Sequence, residues 1–172
     1  MNKTVSCLFL LTLFVVSSCG GLDPTKEPII PANQPPLVKG TIHFKGGVSS
    51  WPPQDSALEV RVVYFLDYPP DTNLVLALST GGAFFTDTIQ RFTDSSSFQL
   101  RRNEVNKPLP LEFKYVVVAL RFGGNFFTDW RAIGVYSVEN DQSQPIAITV
   151  DSTKTVQLQI PVDFTNPPPQ PF

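Results

Sequence analysis

The sequence predicts an all-β fold, a single antiparallel β-sandwich of seven to nine short strands over residues 38–165. Three observations carry that expectation. Apolar residues recur with period two; clusters of Pro, Gly and Asp interrupt them at short intervals; and no stretch of helical length keeps a 3.6-residue period free of such breaks. Composition agrees. At 172 residues the chain has room for one domain, and 42% hydrophobic against 16% charged residues supplies a core and argues against global disorder.

Taken in order, Thr41-Ile42-His43-Phe44-Lys45 opens the body as a strand with Ile42 and Phe44 inward and His43 outward. Leu58, Val60, Val62, Tyr64 and Leu66 share one face of the next strand, with Glu59 and Arg61 on the other. Further strands are expected near 73–79, 83–91, 97–101, 126–136 and 146–150. Tyr115-Val116-Val117-Val118-Ala119-Leu120 is apolar on both sides and is expected to be a central strand. Val156, Leu158, Ile160, Val162 and Phe164 alternate with Gln157, Gln159, Pro161 and Asp163 and close the body. The breaks fall at Trp51-Pro52-Pro53, Tyr68-Pro69-Pro70-Asp71, Gly81-Gly82, Lys107-Pro108-Leu109-Pro110 and Gly123-Gly124.

The body is flanked by segments of a different kind. Met1-Asn2-Lys3 precedes the apolar run Leu8–Val16, whose nine residues would rise about 13 Å as a helix, short of a bilayer core of about 30 Å. That is the pattern of a signal peptide. It ends in Val16-Ser17-Ser18-Cys19-Gly20, which resembles the bacterial lipobox. The resemblance implies cleavage after residue 18, a diacylglycerol on the thiol of Cys19 and an N-acyl chain of the palmitate type on its new amine. Two or more acyl chains hold a protein stably on a bilayer. Gly20, in place of an aspartate after Cys19, resembles lipoproteins sent to the outer membrane. Residues 19–37, with Pro24, Pro28, Pro31, Pro35 and Pro36, form an extended tether, and 166–172 form a proline-rich tail. A terminal Phe172 brings outer-membrane barrels to mind, but this tail lacks the alternating final strand a barrel needs.

The segment Leu74–Asp87 echoes Val116–Asp129, identical at more than half of its positions and sharing Gly-Gly-x-Phe-Phe-Thr-Asp. Two similar hairpins, each with a glycine pair at positive φ, would account for it. Two equivalent loops presenting Phe and Asp along a binding rim would account for it too. Val38-Lys39-Gly40-Thr41-Ile42, Val60-Arg61-Val62-Val63-Tyr64, the turn Pro108-Leu109-Pro110 leading into Tyr115–Ala119, and Val156–Ile160 resemble strands of the carboxypeptidase-regulatory-like domains. Phe113-Lys114 departs from that pattern, in which a glycine usually precedes the tyrosine. The resemblance implies a transthyretin-like (prealbumin-like) sandwich, immunoglobulin-like in its two layers and generally non-catalytic.

The inventory of reactive groups is short. His43 is the single histidine, Cys7 lies in the leader and Cys19 is the expected lipidation site, so thiol dyads and zinc sites lack their residues, and a serine triad would have only His43, expected outward on its strand, as its base. Asp67, Asp71, Asp87, Asp94, Asp129 and Asp141 fall in or near expected turns, without the alternating spacing of a calcium loop. A net charge of −2 with both signs interspersed argues against nucleic acid as partner. No enzyme, metal or cofactor beyond the Cys19 lipid is expected. Trp51, Tyr68 and Trp130 stand at loop edges near Asp87 and Asp129 and form a candidate ligand-binding rim for a glycan; they serve equally as caps on the core. The expected role is a lipid-anchored envelope protein acting through protein contacts or as a structural element, with carbohydrate binding as the alternative.

Overall fold

The computed structural model describes residues 34–70, 73–139 and 141–170. The signal peptide, Cys19, the tether up to residue 33, Asp71 and the last two residues lie outside the described residues. In chain order the elements are β1 (Val38–Phe44), β2 (Glu59–Phe65), α1 (Leu74–Ser79), β3 (Ala83–Phe85), β4 (Ser95–Leu100), β5 (Leu111–Phe113), β6 (Tyr115–Arg121), β7 (Trp130–Val135), β8 (Ser137–Val138), β9 (Asp141–Pro145), β10 (Ile148–Val150) and β11 (Val156–Val162). The chain is mostly β, as its alternation predicts.

Two principal sheets share one core. The first has the order β11-β1-β4 and the second β3-β2-β6-β7; β10-β5 and β8-β9 are small added pairs. Ile42, Phe44, Leu100, Leu158, Ile160 and Val162 from the first sheet meet Val60, Val62, Tyr64, Val116, Val118, Leu120 and Ile133 from the second in a single apolar cluster. Burial follows the alternation. Leu158, Ile160 and Val162 are at most 1% exposed, while Gln157, Gln159 and Pro161 between them face solvent. Each such side chain taken fully from water contributes about 1.5–3 kcal/mol.

One pairing departs from an antiparallel sandwich. β1 and β11 run parallel, Val38 opposite Val156 through Phe44 opposite Val162. Parallel neighbours need a long connection, and the rest of the domain lies between these two strands in sequence.

The expected strand over 73–79 is a helix instead. Apolar residues fill all of Leu74–Leu78, so the run fits period two and period 3.6 alike. Local chemistry and a tertiary need decide between them. The Asn73 side chain accepts from the Leu76 N–H at 2.9 Å as an N-cap, and Gly81 turns the chain at φ 72°. Leu74 and Ala77 are buried while Leu76 is 46% exposed, the pattern of one helical face. That face roofs a second apolar cluster on the outer side of the four-stranded sheet, with Val63, Phe65, Tyr115, Val117, Ala119, Trp130, Ala132 and Val135. With a core on each side, β6 is buried from Tyr115 to Leu120.

The other boundaries shift in smaller ways. The strand expected over 83–91 ends at Phe85, that over 97–101 is β4 (Ser95–Leu100), that over 126–136 begins at Trp130, and that over 146–150 is β10 (Ile148–Val150).

The domain has two poles. Residues 34–37 lead into β1 beside Leu100 and Thr155, through Leu37 N–H to the Leu100 carbonyl and Thr155 Oγ1 to the Pro36 carbonyl. At the far end of β1, Phe44 packs on Trp51, and Trp51 on Phe92. The neighbouring Arg91 donates to the Ala57 carbonyl, so β2 starts where β1 ends. Glu59 pairs with Arg121, which places the β6–β7 loop at this second pole.

Candidate functional site

At the second pole the β6–β7 loop, residues 122–129, carries Phe126 and Phe127 into solvent, 45% and 65% exposed. Asp129 folds this loop. Its carboxylate accepts from the Asn125 N–H and from Thr128 Oγ1, both at 2.8 Å, and its own N–H donates to the Asn125 carbonyl at 3.0 Å. Asn125 Oδ1 accepts from the Phe127 N–H at 2.9 Å, and Trp130 Nε1 donates to the Phe126 carbonyl at 2.8 Å. Gly123 leaves room for the clamp, since a Cβ there would stand 2.3 Å from Asp129 Oδ2. Phe126 meets Phe127 and Trp130 edge-on, with centroids 6.0 and 5.9 Å apart.

Strands β2, β3 and β6 bring further groups to the same surface. Phe85 on β3 is 39% exposed, with the Arg61 guanidinium 4.5 Å from its ring centroid. Arg61 also holds Glu59, the Thr86 carbonyl at 2.9 Å and Thr88 Oγ1 at 3.3 Å. Arg121 Nε lies 3.2 Å from Glu59 Oε2, an ion pair off the line of a hydrogen bond, and its guanidinium reaches over Phe126 at 6.0 Å. Arg131, opposite Leu120 and so on the other face of the sheet, stands 5.8 Å over Phe122. Phe85, Phe126, Leu78, Trp130 and Arg61 line an apolar niche of about 40 Å³. Exposed aromatics with arginine planes beside them are the composition of protein interface centres.

The expected rim of Trp51, Tyr68 and Trp130 is not assembled on one surface. Trp51 is 9% exposed, packed among Phe44, Phe92 and Phe164, with Nε1 donating to the Thr93 carbonyl at 2.9 Å. Trp130 is 7% exposed and belongs to the other cluster, across the four-stranded sheet. Tyr68 is 40% exposed but packs at a tilt against Tyr115, at the opposite end of β6 from Arg121, about 20 Å away by strand length. Asp87 also stands apart from Asp129. It lines a shallow groove of about 560 Å³ with Lys39, Thr41, Gln99 and Gln159.

The remaining candidates are occupied by local structure. His43 Nε2 lies 2.6 Å from Gln159 Oε1 on an exposed face. Asp67 pairs with Lys114 at 2.9 Å, and Asp94 accepts from the Val48 N–H at 2.9 Å. Hydrogen bonds from the Ser143 hydroxyl and N–H hold the Asp141 carboxyl below the usual carboxylate range. Lys45 and Thr165 do the same for Asp163. No group of three or more His, Cys, Asp or Glu that could hold a metal occurs among the described residues.

Sequence reasoning missed the arginines of the patch. Arg61 and Arg121 lie on different strands, and the β2–β6 register brings both to Glu59. The Phe-Phe-Thr-Asp echo was the available signal for Phe85, Phe126 and Phe127. Comparison with protein-family models, with curated proteins and with solved structures returns no match.

Proposed function

We propose that this chain is a lipid-anchored, non-catalytic module of the bacterial cell envelope, held by Cys19 and working through protein contact at the Phe85–Phe126–Phe127 patch. The observation that carries the reading is the clamped β6–β7 loop. It holds two phenylalanines in solvent, at the pole opposite to where residues 34–37 enter β1. The lipobox resemblance of Val16–Cys19 supports the anchor, and Gly20 favours the outer membrane. A prealbumin-like sandwich is the finer fold we infer. Its support is the placing of the opening strand β1 beside the closing strand β11, and of Tyr115 at the start of a central β6 beside β2.

In-cell crosslinking of the full-length protein, with mass spectrometry of what is recovered, tests the contact. One envelope protein in near-equal amount, lost with Phe127→Ser, is the expected result. Recovery unchanged by Phe127→Ser and Phe126→Ala, or turnover by the purified chain that vanishes with one carboxylate substitution, would refute it. Labelling by a radioactive fatty acid that disappears with Cys19→Ser tests the anchor.

A further inference from the structure

Asp87 and Asp129 end the two copies of Gly-Gly-x-Phe-Phe-Thr-Asp, and only Asp129 is spent on its own loop. Asp94, Asp141, Asp151 and Asp163 likewise each accept from a backbone N–H. The Asp87 carboxylate is exposed and has no hydrogen bond or ion pair among the described residues. The groove of about 560 Å³ that it lines lies on the outer face of the three-stranded sheet, within the range of about 300–1,000 Å³ that takes a drug-sized ligand. Two cross-strand rows form its floor, Gln157-Lys39-Gln99 and Gln159-Thr41-Ser97. Ser96 Oγ donates to the Gln90 carbonyl at 2.8 Å, which sets the Thr86–Ile89 wall beside β4. Like Asp87, the side chains of Lys39, Thr41, Ser97 and Gln157 have no partner among the described residues.

β4 is also an edge of its sheet. The Phe44 N–H donates to the Asp94 carbonyl at 3.0 Å, so in this register Ser96, Phe98 and Leu100 bond to β1, while Ser95, Ser97, Gln99 and Arg101 turn their backbone groups outward. Both ends of that outward row are occupied. Thr93 Oγ1 donates to the Ser95 carbonyl at 2.8 Å; at the other end the Glu104 carboxylate accepts the Arg101 N–H, and the Glu104 N–H donates to the Arg101 carbonyl. Ser97 and Gln99 are left open to the groove, a window much shorter than the about five to six residues of an ordinary strand. It suits a compact ligand.

The lining selects the class of that ligand. None of the exposed large apolar residues described borders the groove, so the anchor of a protein contact is missing. Its two charged lining residues, Lys39 and Asp87, cancel, which leaves no field for a phosphate chain. What remains is hydroxyl, amide, carboxylate and backbone groups, donors and acceptors side by side. A sugar hydroxyl both donates and accepts, and so meets a C=O and a neighbouring N–H alike. We propose that this groove binds a neutral oligosaccharide, with Asp87 and Gln157 bonding its hydroxyls from either side of the Ser97–Gln99 window. The site is separate from the aromatic patch and uses neither tryptophan.

Isothermal titration of the full-length chain, in a detergent without a sugar headgroup, tests the proposal with neutral hexasaccharides of glucose, mannose, xylose and galactose. Saturable binding of at least one is expected. Asp87→Ala should weaken it about tenfold or more and Gln157→Ala about three- to tenfold, the loss of one charged and one neutral hydrogen bond. Phe127→Ser and added salt should leave it unchanged, and hydrogen exchange should slow at the Ser97 and Gln99 amides when the sugar is bound. Binding of none of the four overturns the proposal, as does binding that Asp87→Ala leaves intact in a chain folded by circular dichroism. An affinity that falls with salt, or a preference for uronic-acid chains, overturns the neutral ligand. Should Asp87→Ala fail to fold, Gln157→Ala on the opposite strand decides by the same criterion.

Discussion

Asp129 and Asp87 occupy the same place in the two echoing segments, yet alanine at each is expected to have unequal consequences. The Asp129 carboxylate accepts two bonds at 2.8 Å, from the Asn125 N–H and Thr128 Oγ1. Bonds to a charged acceptor contribute about 1.5–3 kcal/mol each when shielded. This loop is wet, and water replaces part of each bond, so the pair comes to about 1–2 kcal/mol, like the loss of a helix N-cap. For a domain of this size that lowers Tm by roughly 3–10 °C. Asp87 is exposed, and Asp87→Ala is expected to stay within about 0.5 kcal/mol. Urea titration followed by circular dichroism measures both. Gly123→Ala adds a check, because its Cβ would clash with the very carboxylate that Asp129→Ala removes. The double variant should therefore cost less than the sum of the single ones, with a coupling of about 1 kcal/mol. Strict additivity, or equal effects at Asp87 and Asp129, would refute the clamp.

Further outcomes follow from the buried groups. The Tyr64 hydroxyl is buried without a hydrogen-bond partner, so Tyr64→Phe should raise stability by about 1 kcal/mol in the same titration. Burial pushes the phenols of Tyr64 and Tyr115 above the ordinary 10.0, with smaller contributions from Glu104 and Tyr68 respectively. A folded pKa above the unfolded one means that their contribution is complete below pH 10 and is lost as pH rises beyond it, which the urea midpoint measured up the alkaline range should follow. Asp141, Asp151 and Asp163 are depressed below 3.8, chiefly by bonds from Ser143, Thr153 and Lys45. Their contribution is present above that pH and lost as pH falls through it, so the midpoint should also drop on the acid side. Trp51→Ala should cost about 3–5 kcal/mol, and the fluorescence of the folded chain should resist acrylamide and ignore added glycans; a glycan-induced shift would revive the sugar-stacking role.

What the sequence made legible were faces set by a short period. Leu158, Ile160 and Val162 against Gln157, Gln159 and Pro161 leave no choice of side once the segment is extended, and Val116–Val118 mark a strand with two dry faces. The helix at Leu74 was not legible, because five consecutive apolar residues match either period. Its selection depends on a bare sheet face at Val63 and Val117 that needs a roof. Trp51 and Trp130 stand next to turn residues in sequence and inside clusters in space, a difference that only packing creates. The bonds between Gln170 and Ala132 had no signal beyond a glutamine among prolines, since they depend on which strand ends the sheet.

The two Phe-Phe-Thr-Asp copies show how one motif yields two surfaces. In β3 consecutive side chains must point to opposite faces, so Phe84 enters the core at 6% exposure and Phe85 is left outside at 39%. In the β6–β7 loop the Asp129 N–H bonds back four residues to Asn125, closing a single helical turn in which consecutive side chains are not forced apart. Phe126 and Phe127 then both emerge. The patch is accordingly built from unequal shares, one ring from the first copy and two from the second, and Phe85 meets Phe126 and not its sequence counterpart Phe127 across the niche. A rim of two equivalent loops would require both copies to adopt one conformation. Strand pairing of Phe85 with Val63 excludes that for the first, and the Asp129 clamp excludes it for the second.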